Sequence, residues 1–472
     1  MKKIPIAIAS GDGIGPEIMQ AVLHILNEAK CPLEYYSILI GEKAYHKGYT
    51  TGIEPSAWDK INNTQALLTS PSISPNPQHE AINDVLIRNL GLFANIRPCI
   101  SYSPFIKTKH PEMDILVVRE SMEDLYCKVE YVQSNDTAKA DKIITYSSCK
   151  KTIQLAFEYA KKYNHSKVTC MTKDNVLTKT DGFFHAVFNE VSNEYPEVIK
   201  EHYIIDIGAA MLATAPELFD IIVLPNFYGD ILSGILAKMC GSLEICASIN
   251  IGDEYATFGT VHGPEFNIAN NGSANPSALL LAAIQMLNYL NLSEYAANIY
   301  NAWLSTIEEG LHTEDIFQSG YSRKKLTIED FTKEVSKRLG KKIAFTNKSV
   351  FFQNAISVPS YSDQKRSNQR KLVGVDITVF SDIGIGDFFD KVSHTNEANL
   401  HLKVIMNRGV QIWPKNNLKS GLCSQYCLRF LNNDLKAISQ DIITKLLQDF
   451  DRVKIEVLSL EYLYLINNKA GF

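Results

Sequence analysis

Apolar positions in the first part of the chain follow two alternating patterns. Short continuous apolar runs predict buried strands, and they occupy residues 4–9, 115–118, 167–171, 203–207 and 221–224. Between them lie amphipathic stretches, and the stretch at residues 16–29 repeats its apolar side chains at helical spacing. Strands that alternate with helices predict a layered α/β architecture.

The pattern changes after residue 345. Serine, asparagine, glutamine and proline dominate residues 346–370 without periodicity, which predicts a linker. Beyond it, strand-like and helix-like runs follow in the order βαββαβ, which is typical of the ferredoxin-like arrangement. Asn407, Arg408 and Gly409 give a turn signal between two of these strands. We therefore expect a small α+β domain at residues 371–472.

Composition narrows the functional classes. Of the 472 residues, 45% are hydrophobic and 21% are charged, which is typical of globular proteins and excludes a disordered or fibrous chain. The 47 Lys and Arg residues and 52 Asp and Glu residues give a net charge of -5, so bulk attraction to nucleic acid is not expected. No apolar run reaches the roughly 18 residues of a membrane span, and the amino-terminal segment becomes polar too early for a secretory signal. The nine cysteines lack the spacing of a zinc site and predict reduced thiols, as in a cytoplasmic protein. From the net charge and the lack of a membrane span, we expect neither a nucleic-acid nor a membrane partner.

Chemistry-bearing side chains follow several of the predicted strands. Arg97 and Arg119 come after extended segments, where two guanidinium groups suit the carboxylates of an acidic substrate, although surface salt bridges are the common alternative. Asp230 follows a buried strand and opens a helix, a position that suits either a bound cation or a helix cap. Lys173 also follows a strand and is a candidate proton-transfer group. Residues 10–17 form a glycine-rich turn, but their spacing is not the dinucleotide-binding fingerprint.

Four motifs together are far more specific than any one of them. They are Gly-Asp-Gly-Ile-Gly-Pro-Glu at 11–17, Arg-Glu-x-x-Glu-Asp-Leu-Tyr at 119–126, Lys-x-Asn at 173–175 and Asn-x-Tyr-Gly-Asp-Ile-Leu-Ser at 226–233. In this order the chain resembles the β-decarboxylating dehydrogenases, the family of isocitrate, isopropylmalate and homoisocitrate dehydrogenases. His-Gly at 262–263 and Ala-Asn-Pro-Ser at 274–277 extend the resemblance. The tail, with Leu-Val-Gly-Val-Asp at 372–376, is similar to the extra carboxy-terminal domain of one isocitrate dehydrogenase branch, known from Rickettsia-like and Thermus-like bacteria.

The resemblance implies a fold and a reaction. The fold is the layered α/β fold of isocitrate and isopropylmalate dehydrogenases, with a large domain at residues 1–115 and 255–345 and a small clasp and dimerisation domain at 116–254. The reaction is the metal-dependent oxidative decarboxylation of isocitrate, a small tricarboxylate, to 2-oxoglutarate. The implied cofactors are NADP or NAD and Mg²⁺ or Mn²⁺. The implied assembly is a homodimer with shared active sites.

The resemblance also assigns roles to individual residues. The substrate ligands are Asn83, Arg97 and Arg119, the catalytic residues are Tyr126 and Lys173, the metal ligands are Asp206 and Asp230, and the cofactor ligands are His262 and Asn275. Tyr126 matches the acid that protonates the enol carbon, and Lys173 matches a lysine that acts in proton transfer. In the family, the counterparts of Lys173 and Asp206 reach the site from the partner subunit.

Several positions depart from the family pattern. The second metal carboxylate, one helical turn after Asp230, is replaced by Gly234. Thr69 opens a segment that lacks the lysine and the glycines of isocitrate enzymes. Two alignments of the next segment stay open. Without a gap, the family's serine, asparagine and arginine become Ala81, Asn83 and Ile87. With a one-residue deletion, they become Ile82, Asp84 and Arg88.

The cofactor loop departs from the pattern too. The family sequence His-Gly-Ser-Ala-Pro is replaced at residues 262–266, with Pro264 at the third position. Asn267 stands where aspartate favours NAD and lysine favours NADP, and the usual Ala-Gly after the catalytic tyrosine is Cys127-Lys128. Three functions therefore stay open: a working isocitrate dehydrogenase, a weakened paralogue retained as a binding or regulatory subunit, and a dehydrogenase of another 2-hydroxy acid.

Overall fold

The structure, a computed structural model, describes residues 3–76, 79–341, 369–383, 385–393, 395, 399–414 and 421–472. It divides the chain into two compact units, one formed by the described residues of Met1–Cys127 and Lys142–Ser362, the other by those of Lys128–Asp141 and Asp363–Phe472. The predicted linker lies outside the described residues except at 369 and 370, and Arg370 already begins a strand. Among the described helices, none combines the length and apolar character needed to cross a membrane.

The described helices and strands follow one another in chain order. The strands are β1 (Ile4–Ala9), β2 (Leu33–Ser37), β3 (Leu67–Thr69), β4 (Ala94–Ile100), β5 (Asp114–Glu120), β6 (Glu130–Ser134), β7 (Thr137–Ala140), β8 (Lys167–Thr172), β9 (Ile199–Ile204), β10 (Ile221–Leu224), β11 (Ala247–Ile251), β12 (Ala256–Thr260), β13 (Leu311–His312), β14 (Lys324–Lys325), β15 (Arg370–Phe380), β16 (His401–Asn407), β17 (Val410–Trp413), β18 (Gln425–Leu431), β19 (Glu456–Ile466) and β20 (Lys469–Ala470). The α-helices are α1 (Gly15–Glu28), α2 (Glu42–His46), α3 (Ser56–Asn62), α4 (Ile82–Leu90), α5 (Tyr146–Tyr163), α6 (Thr180–Ser192), α7 (Ile205–Thr214), α8 (Asn226–Met239), α9 (Ser277–Tyr289), α10 (Ser293–Glu308), α11 (Ile328–Lys337), α12 (Ile385–Ser393) and α13 (Gln440–Arg452).

The first unit is built on one mixed sheet of ten strands, in the order β2-β1-β3-β12-β11-β4-β5-β10-β8-β9. The pairs on both flanks are parallel, whereas β4 and β11 run antiparallel to both of their neighbours. Helices such as α5 and α9 pack against the sheet, which explains why its strands read as continuous apolar runs. The predicted α/β class is confirmed.

Most predicted elements of this unit are found, and one is wrong in part. Strands β1 and β10 have the predicted bounds, and α1 begins and ends one residue earlier than predicted. The strand predicted at 203–207 is wrong in its second half, because β9 ends at Ile204 and α7 begins at Ile205. One apolar run crosses this boundary, and apolar character alone does not distinguish a buried strand from a buried helix.

The second unit contains the hairpin β6–β7 and the tail of the chain. The hairpin lies within the residues predicted as the clasp. The tail forms a six-stranded antiparallel sheet in the order β17-β16-β18-β15-β19-β20. Its four inner strands have the order of a ferredoxin-like βαββαβ core, with α12 after β15 and α13 after β18, and β17 and β20 extend the edges. Phe388, Leu428, Phe430 and Phe450 are fully buried in its apolar core, and the predicted small α+β domain is confirmed.

Candidate active site

Three neighbouring strands align polar side chains on one face of the large sheet. Asn95 of β4 lies opposite Asn250 of β11 on one side and opposite Arg119 of β5 on the other. Arg97 joins them, because side chains two residues apart in a strand share a face. These four residues line a cavity of about 310 Å³. The candidate site therefore lies where the polar positions of β4, β5 and β11 meet.

Helix α8 brings Asp230 to the same cavity. The helix begins at Asn226, whose Oδ1 accepts a hydrogen bond from Nε of Arg119 at 2.8 Å. Gly229 lets the arginine pass close to the helix, since a Cβ at this position would lie 2.6 Å from Cγ of Arg119. The glycine of the motif therefore permits the contact between strand β5 and the first turn of α8.

Three side chains bind the carboxylate of Asp230. Its Oδ1 accepts hydrogen bonds from Nη2 of Arg97 at 3.1 Å and from Nη1 of Arg119, and its Oδ2 accepts one from the Tyr126 hydroxyl at 2.5 Å. Burial raises the pKa of Asp230, but the charges of Arg119 and Arg97 outweigh burial and hold this pKa below its usual value. Burial and the nearby charge of Arg119 lower the pKa of Arg97. Asp230 is therefore an anion held between two cations.

The Tyr126 hydroxyl keeps its proton at neutral pH. Burial and the hydrogen bond to Asp230 raise the pKa of Tyr126 to about 12. The guanidinium carbon of Arg119 lies 4.8 Å from the centre of its ring, which fixes the ring by a cation–π contact. A protonated, oriented phenol on the cavity wall is able to act as a general acid.

Arg97 is oriented by two side chains to which the sequence motifs gave no role. Its Nε donates to Oδ1 of Asn95 at 2.8 Å, and its Nη1 donates to Oγ of Ser233 at 2.6 Å. Asn95 is held in turn by donating to Ser248 at 2.9 Å and to Asn250 at 2.8 Å. The sequence signal for Asn95 is its position two residues before Arg97, since the strand period puts both on one face.

Helix α4 and the residue before it present the gap-free set of substrate positions to the cavity. Ala81, Asn83 and Ile87 all line it. Asn83 and Ile87 are four residues apart and therefore share one face of the helix. The cavity wall has an isoleucine at the position that aligns, without a gap, with the family's arginine.

The alternative alignment places only one of its three residues at the cavity. Asp84 lines the wall. Ile82 is buried in an apolar cluster, and Nη2 of Arg88 lies 2.6 Å from Oε1 of Glu80. With the one-residue deletion, the arginine at the substrate position would be Arg88, which is already paired with Glu80. The geometry therefore favours the gap-free alignment.

The glycine-rich turn between β1 and α1 holds the loops of the cavity. The backbone N–H of Asp12 donates to the carbonyl of Pro71 at 2.8 Å, and its carboxylate accepts from the N–H of Ile73 at 2.9 Å. Gly13 has a φ of +58°, and a Cβ there would lie 1.9 Å from the carbonyl oxygen of Pro264. The turn therefore requires glycine for a close backbone approach to the cofactor loop.

His262 lies on the cavity wall and is 6% exposed. Its Nδ1 donates to the carbonyl of Gly263 at 3.0 Å, because a carbonyl oxygen only accepts hydrogen bonds. Its Nε2 is then a buried acceptor with no hydrogen-bond partner among the described residues. Burial lowers the pKa of His262, so the ring is neutral at neutral pH. An unpaired buried acceptor is unfavourable and fits a ligand that supplies a hydrogen-bond donor.

Three predicted site residues do not line the cavity. Asn275 is fully buried, where its amide donates to Asp315 at 3.1 Å and its Oδ1 accepts from the N–H of Ser277 at 2.9 Å. Lys173 and Asp206 form a pair, with 2.7 Å between Nζ and Oδ1. The hydrogen bond from Lys173 holds the pKa of Asp206 below its usual value, and the Asp206 side chain is 61% exposed.

The other predicted residues come together. Those that line the cavity are Asn83, Arg97, Arg119, Tyr126, Asp230 and His262. Thr69 lines it as well. Gly234 lies one turn after Asp230 in α8, and among the described residues no atom lies within 4 Å of the position that its Cβ would occupy. A side chain at this position would therefore displace none of the described neighbours.

Two family models match this chain. The model described as isocitrate/isopropylmalate dehydrogenase matches residues 5–335. The model described as bacterial isocitrate dehydrogenase, C-terminal domain, matches residues 370–472. The two matches correspond to the large mixed sheet and to the antiparallel sheet of the tail.

Similar proteins extend over nearly the whole chain. The NADP isocitrate dehydrogenase of Rickettsia felis is 42% identical, over 99% of this chain and 98% of that protein. The NADP isocitrate dehydrogenase of Thermus thermophilus is 34% identical, over 90% of this chain and 86% of that protein. A crystal structure of a Thermus thermophilus protein has a TM-score of 0.92 at 31% identity, covering 99% of this chain and 95% of that one. The isocitrate dehydrogenase of Methylococcus capsulatus has a TM-score of 0.68 at 29% identity, covering 72% of this chain and 100% of that one.

Proposed function

The chain belongs to the isocitrate/isopropylmalate dehydrogenase family, and on that premise we propose that it oxidises and decarboxylates isocitrate to 2-oxoglutarate with NADP and a divalent metal ion. The observation that carries the proposal is the convergence of Arg97, Arg119 and Tyr126 on Asp230 in one cavity. The relatives named NADP isocitrate dehydrogenases support isocitrate as the substrate and favour NADP over NAD.

Two carboxylates suit a hard divalent cation. Asp230 is kept ionised on the cavity wall by its two arginines. Asp206 is ionised and exposed, which suits a ligand donated to the cavity of a second copy. Mg²⁺ or Mn²⁺ would stabilise the negative charge that develops on the substrate oxygen as carbon dioxide leaves. Because Gly234 replaces the second carboxylate of α8, this helix supplies one metal ligand instead of two.

Two arginines give the cavity its affinity for a carboxylic acid. The guanidinium groups of Arg97 and Arg119 share one oxygen of Asp230, so both are already oriented towards the cavity. Charge-assisted hydrogen bonds from guanidinium to carboxylate are the strongest of the contacts available here. Asn83 supplies a further polar contact from α4.

The proton steps fall to Tyr126 and Lys173. Tyr126 keeps its hydroxyl proton and is proposed to give it to the carbon from which carbon dioxide has left. Lys173 of a second copy is proposed to move the proton of the substrate hydroxyl. NADP, when bound, accepts the hydride. His262 is proposed to contact the adenosine part of NADP through its unpaired Nε2, and Asn275 through the loop that its hydrogen bonds fix.

We propose a homodimer in which each site takes residues from both copies. Phe227, Ile231 and Ile235 follow one another at four-residue intervals on α8 and are 40%, 50% and 49% exposed. They form an apolar stripe along one face of the helix, which is typical of a surface that packs against another protein. Two-fold packing through this stripe would bring the Lys173 and Asp206 pair of one copy towards the cavity of the other.

The state of the cysteines supports the expected compartment. All nine are free thiols. Disulfides persist in oxidising compartments and are rare in the cytosol. We therefore propose a cytoplasmic enzyme.

Two observations favour the alternatives that the sequence left open. Gly234 deprives the metal position of the second carboxylate of α8, which would suit a weakened paralogue that serves as a binding or regulatory subunit. Ile87 makes one wall of the cavity apolar, which favours another 2-hydroxy acid with an apolar side group.

A steady-state assay of the purified protein decides between these functions. It combines Mg²⁺ or Mn²⁺ with isocitrate and either NADP or NAD, and tests isopropylmalate in parallel. Turnover of isocitrate near the ordinary enzyme rate of roughly 10 s⁻¹ would support the proposal. Turnover with isopropylmalate alone would support a different acid, and no turnover with any pair would support the weakened paralogue.

A further inference from the structure

Two histidines and one aspartate form a cluster outside the candidate active site. Asp174 follows β8, His185 lies in α6 and His202 lies in β9. Oδ2 of Asp174 lies 2.7 Å from Nδ1 of His185 and 3.8 Å from Nε2 of His202. One ligand atom from each residue lies within 4.8 Å of the other two. The cluster contributes nothing to the wall of the active-site cavity and had no role in the sequence motifs.

Regular structure holds the two histidines in place, and Asp174 lies in the turn after β8. Strand β9 forms one edge of the large sheet and pairs in parallel with β8, with His202 opposite Cys170. Helix α6 packs on β8 and is anchored by Phe184 and Phe188, which are fully buried. The imidazole rings of His185 and His202 are stacked, with their centres 3.7 Å apart and their planes 13° from parallel. Ligands on packed elements are held more precisely than ligands on loops.

The charge states suit metal binding at neutral pH. Burial raises the pKa of Asp174, but the hydrogen bond from His185 and the favourable electrostatic interaction with His202 outweigh burial and lower it, so the carboxylate is ionised. Burial, with the nearby His185, lowers the pKa of His202, which keeps this imidazole neutral. The side chains of Asp174, His185 and His202 are 21%, 26% and 19% exposed, so an ion can reach them from solvent.

We propose that Asp174, His185 and His202 bind one transition-metal ion of the Zn²⁺, Co²⁺ or Ni²⁺ type. Two imidazole nitrogens and one carboxylate suit these ions, whereas Mg²⁺ prefers oxygen ligands alone. The Thr172 hydroxyl, whose Oγ1 lies 2.8 Å from Nε2 of His202, or a water completes the coordination.

Admitting the ion requires at least one imidazole to turn out of the stack, because a bound metal ion lies in the plane of each ring that ligates it and the two planes are only 13° from parallel. Bonds of roughly 2.0–2.2 Å from zinc to nitrogen and oxygen place tetrahedral ligand atoms about 3.4 Å apart. The separations of 2.7 and 3.8 Å lie on either side of this value. In the metal-free protein Nδ1 of His185 donates to Asp174, and binding of the ion shifts this proton to Nε2, which frees Nδ1 as a ligand. The ion would join the edge strand β9 to α6 and stabilise the folded state by mass action.

Cobalt binding to the full-length protein tests the proposal. The protein is stripped with a chelator, freed of it and titrated with Co²⁺ in excess Mg²⁺, which occupies sites made of oxygen ligands. We expect one Co²⁺ per chain, a visible spectrum without a thiolate charge-transfer band, and a rise in the melting temperature. In the double variant His185→Gln/His202→Gln we expect no bound Co²⁺, no visible cobalt spectrum and no rise in the melting temperature. His46→Gln removes an imidazole that is 73% exposed and keeps them.

Three results would overturn the proposal. The first is a thiolate charge-transfer band, which would assign the ion to cysteine. The second is displacement of Co²⁺ by Mg²⁺, and the third is unchanged Co²⁺ affinity in the double variant. The melting temperature of the metal-free double variant shows whether it folds. Where it does not fold, His185→Gln alone is compared with wild type, and we expect a loss of at least about tenfold in Co²⁺ affinity. Equal affinity in that single variant also overturns the proposal.

Discussion

Gly234 lies one helical turn after Asp230 in α8, and no atom of the part of the chain that the structure describes lies within 4 Å of the point where its Cβ would be. Gly234→Asp would therefore place a second carboxylate beside the first without displacing a neighbour. We expect Mn²⁺ affinity to rise about tenfold or more, because a hard divalent ion gains an anionic oxygen ligand. Calorimetric titration of the purified protein with Mn²⁺ measures this change.

Gly234→Asn is the matched control for that prediction. Its side chain has the same size but no charge, and it gains helix propensity over glycine by a similar few tenths of a kcal/mol. We expect a small rise in stability and little change in Mn²⁺ affinity. Equal gains in affinity for the Asp and Asn variants would show that the position acts through helix stability and not through metal binding.

Ile87→Arg should strengthen binding of a tricarboxylate. Ile87 lies on the cavity wall, and a guanidinium there adds a charge-assisted hydrogen bond worth about 1.5–3 kcal/mol, or roughly 10- to 150-fold in KM for isocitrate. Ile87→Gln is the uncharged control of similar length. If KM falls equally in both variants, the gain comes from polarity in general and the carboxylate contact is absent.

Tyr126→Phe should reduce kcat by roughly 10²–10⁴-fold and change KM for isocitrate little, since a proton donor is lost and the ring is kept. The pKa of Tyr126, raised to about 12 by burial and by Asp230, also predicts that loss of the phenolic proton does not lower wild-type kcat below about pH 10. Steady-state kinetics against pH measure both effects. Full activity in the phenylalanine variant would remove Tyr126 from the mechanism.

Mixing two inactive variants tests whether active sites are shared. If each site takes Tyr126 from one copy and Lys173 from the other, a hybrid of Tyr126→Phe and Lys173→Met subunits contains one intact site. Random reassembly would then restore about a quarter of wild-type activity. The activity of the mixture after unfolding and refolding together is compared with that of the two variants refolded separately. No gain on mixing would place both residues of each site in one chain.

Glu120 makes stability depend on pH. It is 1% exposed, and burial raises its pKa to about 7 although it accepts hydrogen bonds from Ser148 and from the N–H of Met122, each at 2.7 Å. From about pH 4.5, its ordinary pKa, to about pH 7, the folded protein holds a proton that the unfolded chain releases. The free energy of unfolding therefore falls as pH rises through this window and is lowest, for this group, above it.

Glu120→Gln removes this dependence while keeping an oxygen that accepts hydrogen bonds. We compare the free energy of unfolding of the variant with that of wild type at the acid and at the alkaline end of the window. We expect the difference, variant minus wild type, to be about 1–3 kcal/mol larger at the alkaline end. Urea denaturation on both sides of it gives the two values. Parallel curves for variant and wild type would contradict the raised pKa of Glu120.

Some features of this protein could be predicted because they depend on residues that are neighbours along the chain. Continuous apolar runs predicted β1 and β10 with the observed bounds. A strand that is buried on both faces is apolar at every position, whichever strands it pairs with. The polar residues at strand ends marked Arg119 and Asp230, and both lie in one cavity. The strand predicted at 203–207 failed because a single apolar run crosses from strand into helix, and periodicity is absent from a run that short.

Other features depend on which strands become neighbours. The alignment of Asn95 between Asn250 and Arg119 comes from the register of β4 against β11 and β5, which no local pattern encodes. The choice between Ile87 and Arg88 on the cavity wall comes from the face that α4 buries against the core. The cluster of Asp174, His185 and His202 was invisible for the same reason.

Local sequence patterns were sufficient to predict the layered α/β class and the small α+β tail, and the motifs supplied the residue types that a dehydrogenase of acidic substrates needs. These follow from short-range periodicity and from motifs whose residues are neighbours along the chain. The folded structure was needed to show that Asp230 is bound by Arg97, Arg119 and Tyr126, whereas Lys173 and Asp206 pair with each other and do not line that cavity. Those contacts join residues far apart in sequence, and only strand register and helix packing set the distances between them.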